Sequence, residues 1–440
     1  MMRGPSAGSR RPFDGLGATG FSMDHRSLST SSAPEPLARH SRGAEPGTAA
    51  ALVALGVAGV CAFLNLYATQ PLLPLLERVF GVTKAQAAWT VSAPTIAVAL
   101  CSPFVGSLAD RIGRRRLIVG SLFALSFPTL MAATSRTITQ LVVWRFAQGL
   151  VVPGVYAISI AYVGEAWQGG GVGRAMAALI TGNVIGGFSG RFIGGITAEW
   201  AGWRAAFVVL ALITVAGALA SARWLPYEAA RPAVRARPLR ALAELASHVD
   251  GRLGATFVVG FNVLFTQVAT FTYITFHLSA PPFSLGIVEL SALFVVYLVG
   301  AIVTPFAGRW IDRLGSRVML AASLGSALAG VCLTLVPALW SVILGLAIVC
   351  TAVFISQSAS TSFLQSSAPD EVRSTASGVY VSCYYVGGSV GGVLPAAAWH
   401  LGGWPGCVAL VVAVQLATIA IALRYWRDGH AGSSAGPAPA

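Results

Sequence analysis

Residues 106–118 read GSLADRIGRRRLI, and residues 308–320 read GRWIDRLGSRVML. Each is a short arginine-rich turn, punctuated by glycine and held between two long apolar runs. Gly106 and Gly308 are 202 positions apart, and so are Asp110 and Asp312. One turn written twice, nearly half a chain length apart, predicts a duplicated polypeptide. A second set of residues agrees. Gly186, Gly187, Gly190, Gly202 and Trp203 recur 201 positions later as Gly387, Gly388, Gly391, Gly403 and Trp404.

Composition decides what surrounds the two copies. Of 440 residues, 55% are hydrophobic and only 10% are charged. A soluble domain carries about 25% charged residues, so this chain has too little charge to wet its own surface. Its outer solvent is lipid, and the long apolar runs predict an all-α membrane protein. The net charge of +13 comes from 28 arginines and the single Lys84. Most of that charge stands in short loops between apolar runs, where it sets membrane orientation; no nucleic-acid partner is expected. The six cysteines and six histidines form no ligand-spaced cluster, so no metal, disulfide or cofactor is expected.

Twelve spans follow, at roughly 49–79, 87–109, 117–135, 139–165, 173–199 and 203–225, then 253–279, 286–309, 317–336, 339–366, 373–400 and 404–426. The expected domains are a polar tail (1–46), a six-helix half (47–225), a linker (226–252), a second six-helix half (253–427) and a short tail (428–440). Within the linker, LRALAELASHVDGRL has the pattern of an amphipathic helix lying on the membrane surface. Alternate loops hold Arg111, Arg114, Arg115 and Arg116, then Arg174, the linker arginines, Arg309, Arg313 and Arg317, and Arg373. The opposite loops hold only Arg78, Lys84, Arg136 and Arg204. That asymmetry predicts both termini in the cytoplasm. Two parallel halves of six spans point to a transporter that rocks one half against the other.

In the opening turn, small Gly106 is expected to let the second and eleventh spans approach. Asp110 closes a helix where it can meet an arginine or backbone N–H, and Gly113 supplies the tight turn before Arg114. Asp312, Arg313, Gly315 and Arg317 repeat the pattern. The stretch closely resembles motif A of the major facilitator superfamily, and DRLGSR resembles its second-half copy. In that family the loop latches the outward-facing state through a charge network centred on the aspartate, so the resemblance implies this role for Asp110.

Inside the fourth span, LVVWRFAQGLVVPG (141–154) carries Arg145 at membrane depth. An arginine there costs about 2.5–3.5 kcal/mol on insertion scales, so it should face the protein interior. Arg145, Gln148 and Gly149 match the family's motif B, whose arginine is associated with proton coupling; capping of neighbouring carbonyls is the structural alternative. The fifth span reads GNVIGGFSGRFIGG (182–195), with Gly182, Gly186, Gly190 and Gly194 recurring every fourth residue. Successive members turn by about 40°, which makes one groove for close helix packing. With Gly195 this resembles motif C of drug–proton antiporters, except that Arg191 stands where that motif has proline. The proline kink is lost and a second buried positive charge appears. Two readings stay open for the pair of arginines: an electropositive cavity for an anionic or electron-rich group, or pairing with carbonyls or a distant carboxylate.

Polar and aromatic residues inside the spans nominate a substrate cavity: Asn65, Tyr67 and Gln70 in the first, Asn183 in the fifth, and Asn262, Gln267, Tyr273 and His277 in the seventh. Together YATQPLLPLL, SGRFIGG and SAPPF resemble the bacterial subgroup linked to acriflavine sensitivity or arabinose efflux. The resemblance covers residues 49–426 and implies a monomeric inner-membrane transporter that exports small molecules in exchange for protons, with the proton gradient as its energy source. An uptake symporter for an organic anion is the rival, and a non-transporting sensor is a rival of another class. His277, Glu289 and Asp110 are candidate proton carriers. No nucleophile–base pair, Walker loop or metal cluster suggests an enzyme.

Overall fold

The glycines that punctuate the sequence are where the chain turns in space. A computed structural model describes residues 48–167, 171–227, 238–369 and 371–426; the two tails and most of the linker lie outside them. Among the described residues all regular elements are helical. The first span is α1 (Ala49–Leu66), a 3-10 turn (Gln70–Leu72) and α2 (Leu73–Phe80). The next three are α3 (Lys84–Ile112), α4 (Arg114–Ala133) and α5 (Ile138–Ala166). Thr83 and Gln86 form a reciprocal capping box at the start of α3, and the Thr137 hydroxyl caps α5.

Helix α6 (Val172–Trp224) has 53 residues and would be about 80 Å long if straight, against a hydrocarbon core of about 30 Å. It is two spans. Gly202, at φ +83°, turns the chain back between them, in a conformation a side chain would strain. Then come α7 (Pro238–His248), α8 (Gly251–Ser279), α9 (Ile287–Ala292), a 3-10 turn (Leu293–Val295) and α10 (Val296–Leu314). The chain ends with α11 (Ser316–Leu333), α12 (Leu339–Ser367), α13 (Arg373–Val393) and α14 (Pro395–Tyr425), which reverses at Gly402 and Gly403. Among the described residues nine helices are long and apolar enough to cross a membrane as they stand. Dividing α6, and adding the eighth span that a 3-10 turn interrupts and the polar, glycine-rich eleventh, gives the twelve that the sequence predicts.

The fifth-span glycines meet the first span in strict register. A Cβ on Gly182 would collide with the backbone of Gly56, one on Gly186 with Val60, and one on Gly190 with Leu64. The second half repeats this, Gly387 against Phe261 and Gly391 against Phe265. Both members of each contact move by 201 positions, so the duplication preserves the packing as well as the sequence. The linker forms a helix where the sequence pattern places one. Leu245 of α7 is buried with Leu253, Leu364, Ala368, Val372, Ala376 and Tyr380. This apolar residue packs on the second half of the protein.

Candidate functional site

The polar centre begins with a missing hydrogen. Pro94 lies inside α3 and has no N–H to give the carbonyl of Thr90, four residues earlier. At the same depth α1 stops, leaving the carbonyls of Asn65 and Leu66 without helical partners, while the Gln70 N–H goes to Tyr67. Arg145, 0% exposed, answers all three. Its Nε donates to the Thr90 oxygen at 2.9 Å, Nη1 to Asn65 at 2.6 Å and to Gln148 Oε1, and Nη2 to the Leu66 carbonyl. Gln148 donates to Thr129 at 2.8 Å, Thr129 to Asn65 Oδ1 at 3.1 Å, and Asn65 to Thr214 at 2.9 Å. Gly149 lets α5 approach Pro94, since a Cβ there would overlap its carbonyl. For Arg145 the geometry thus shows the carbonyl caps that the sequence offers as one alternative.

Arg191 is different. It is 2% exposed and sits where the two halves meet. Nε donates to Gln70 Oε1 at 2.7 Å, Nη1 to the Gly187 carbonyl, and Nη2 reaches the Tyr297 hydroxyl at 3.4 Å. Three rings surround the guanidinium: Tyr297 at 4.5 Å, Phe294 at 4.8 Å and Tyr67 at 4.9 Å from centroid to Cζ. Phe271 packs on both Phe294 and Tyr297, and the Gln267 side chain lies beside the Tyr297 hydroxyl. Gln70 in turn donates across the seam to Thr272 at 3.2 Å. Among the side chains that the structure describes, no aspartate or glutamate is buried. The positive charge is met only by neutral oxygens and π faces.

Of the expected cavity residues, Tyr67, Gln70 and Gln267 therefore gather at Arg191, and the others do not. Asn65 is consumed in the network under Arg145. Asn183 packs into the first-span contact beside Gly59, and Asn262 accepts from Thr266 at 3.2 Å. Tyr273 donates to the Gly392 carbonyl at 3.0 Å. His277 lies half-buried near the end of α8, stacked on Trp404 and edge-on to Phe283. Phe294, Tyr297 and Thr272 escaped the sequence reading; the only signal was two aromatics three positions apart in an apolar run.

The halves touch on the face opposite the arginine-rich turns. Ser389 donates to the Ser92 carbonyl at 3.1 Å and Ser382 to that of Ala99 at 3.3 Å. A Cβ on Gly195 would overlap Ser291, and Lys84 lies over the rings of Phe276 and Trp399 at 5.3 and 5.6 Å. Gly106 takes no part: it is exposed, with nothing within 4 Å of where its Cβ would point, and Gly308 is the same. The second and eleventh spans approach instead through Ser92 and Gly392, because their seam closes on the other face. At the turns themselves, Gly113 and Gly315 adopt φ +93° and +84°, and Asp110 lies 3.7 Å from Arg114. Asp312 and Arg313 are exposed. Arg115 donates to Leu225 and Ala222 at 2.8 and 2.5 Å, and Arg317 to Leu423 at 2.9 Å. Each arginine caps the last carbonyls of a closing span, the sixth or the twelfth.

Twelve spans in two repeated halves, meeting around a buried polar seam, define a multi-pass secondary transporter and not an enzyme. The model of the Major Facilitator Superfamily matches residues 55–392, and the chain belongs to that family. It is 30% identical to the uncharacterised MFS-type transporter YybF of Bacillus subtilis over 378 residues, 86% of this chain and 92% of the relative. It is likewise 30% identical to the inner membrane transport protein YnfM of Escherichia coli, over 86% of this chain and 91% of that one. In fold it matches a bacterial homologue of the human lysosomal transporter Spinster, solved inward-facing and occupied, with a TM-score of 0.72. The two share 14% identity over 87% of this chain and 98% of the homologue.

Proposed function

We propose that the protein works by alternating access in a bacterial inner membrane, exporting small drug- or sugar-like molecules in exchange for protons. The observation that carries this reading is the glycine ridge of the fifth span. Its antiporter-like spacing is realised as backbone contact with the first span, which makes each half a unit able to rock as one body. The arginine-rich face is cytoplasmic in this proposal, with both termini on that side. The observed arrangement is then sealed toward the outside. Asp110, paired here with its neighbour Arg114, would form the cytoplasmic latch only when the halves rock the other way. The protein would act as a monomer.

The test uses purified protein in liposomes with an imposed pH gradient, an internal pH dye and a panel of cationic dyes, sugars and organic acids. Proton movement opposite to a dye or sugar is expected, weakened in Asp110→Asn. Co-movement of protons with an acid would overturn export. That second reading, uptake of an organic anion, is favoured by one observation, the buried Arg191 without a carboxylate partner.

A further inference from the structure

Arg191 is held in place more fully than it is neutralised. A guanidinium has five N–H donors in a planar fork. Here Gln70 and the Gly187 carbonyl fix Nε and Nη1, while Nη2 has only the long 3.4 Å approach to Tyr297. A lone charge removed from water is expensive unless paired, and among the side chains that the structure describes no buried carboxylate pairs with this one. The second half shows what the position requires for packing alone. The counterpart of Arg191, 201 positions on, is Gly392, which simply packs on Ser92 at the other seam. A charged side chain is therefore not needed to close such a seam.

We propose that Arg191 is the anion-binding residue of the transport site, and that the substrate class is a planar aromatic or conjugated carboxylate. The unfilled edge of the fork matches a carboxylate with two parallel hydrogen bonds. The faces of Tyr67, Phe294 and Tyr297, backed by Phe271, supply flat apolar surface beside it for the body of the molecule. The donors come from the first half and most rings from the second, so one bound molecule touches both rocking bodies. An anion entering the fork replaces the Tyr297 contact, which links binding to opening of the seam. This inference rests on the reading of the chain as a transporter and, for the substrate, takes the organic acid of the second reading above, in whichever direction it moves.

The experiment is binding, which does not depend on transport direction. Full-length protein in nanodiscs is titrated with benzoate and 2-naphthoate, and in parallel with the neutral benzamide and 2-naphthamide, following Tm. The acids are expected to raise Tm, 2-naphthoate the more, and the amides not. Arg191→Gln should bind the acids roughly 10- to 100-fold more weakly, the range for losing a hydrogen bond to a charged group, and Arg191→Lys should recover part of the loss. Arg191→Pro, which restores the antiporter residue, should also lose acid binding while keeping a cooperative melt. Equal stabilisation by acid and amide, equal binding by wild type and Arg191→Gln, or no shift with either acid would overturn the proposal. Proton flux driven by a neutral or cationic compound, with no acid binding, would remove the anion subsite and leave the exporter. Acid binding without any proton movement would do the reverse.

Discussion

At the scale of single residues, Pro94 withholds one N–H from the second span and Arg145 repairs the loss. The same side chain closes α1 where the first span breaks, so three buried carbonyls accept from one guanidinium, with the Thr69 hydroxyl at 3.4 Å as a weaker second donor to Thr90. Each orphaned carbonyl costs about 1–3 kcal/mol. Arg145→Gln should therefore destabilise the protein by about 3 kcal/mol or more, read as a lower Tm and poorer recovery from the membrane. Arg145→Lys, with three donors on a shorter reach, should fall between. A glutamine variant that melts like wild type yet moves no protons would show that Arg145 acts in coupling and not in capping. Arg191 obeys the opposite logic: it sits at a seam between moving bodies, so its removal should alter binding more than stability.

At the scale of elements, the glycine ridges make a sharper prediction, because they separate crowded positions from open ones. Gly190 faces the Leu64 carbonyl with no room for a methyl group, whereas Gly106 faces nothing. Gly190→Ala should cost about 1–3 kcal/mol through forced separation of the two spans, and Gly391→Ala a similar amount in the other half. Gly106→Ala should stay within about 0.5 kcal/mol. Thermal melts of the three variants decide it, and equal loss at Gly106 and Gly190 would break the argument. This contrast marks what could be read from sequence. Fourfold glycine spacing can be satisfied only by another backbone, so the ridge was legible, as were the twelve spans and their turns. The partner of Gly106 was not, because which face of a seam is closed depends on the state of the whole protein. Asn65, Asn183 and Asn262 were expected in the cavity and are packed between helices, since an amide inside a span looks the same whether it meets a neighbour or a ligand. Phe294 and Tyr297 were hidden for the converse reason: in an apolar run, rings facing a cation and rings facing lipid are written alike.

At the scale of the molecule, the two halves meet on the face away from the arginine-rich turns, through small residues at Ser92, Ser389 and Gly392, at Gly195 and Ser291, and through Lys84 resting on Phe276 and Trp399. Small residues bring backbones together but leave little to grip once they part, which suits a seam that must open in every cycle. The Ser92–Gly392 contact allows this to be tested directly. An ideal Cβ on Gly392 lies 3.3 Å from Ser92 Cβ, 0.2 Å short of the usual 3.5–4.5 Å separation across a disulfide, which a small shift of either span supplies. In a background with the six native cysteines replaced by alanine, Ser92→Cys with Gly392→Cys should cross-link on mild oxidation. Transport should stop when the bond forms and return on reduction, while either single variant keeps its activity through both treatments. Full transport by protein shown to be cross-linked would mean that this seam does not open, and the halves would have to exchange access by another motion. Loss of transport that reductant restores would place the moving boundary along the second and eleventh spans.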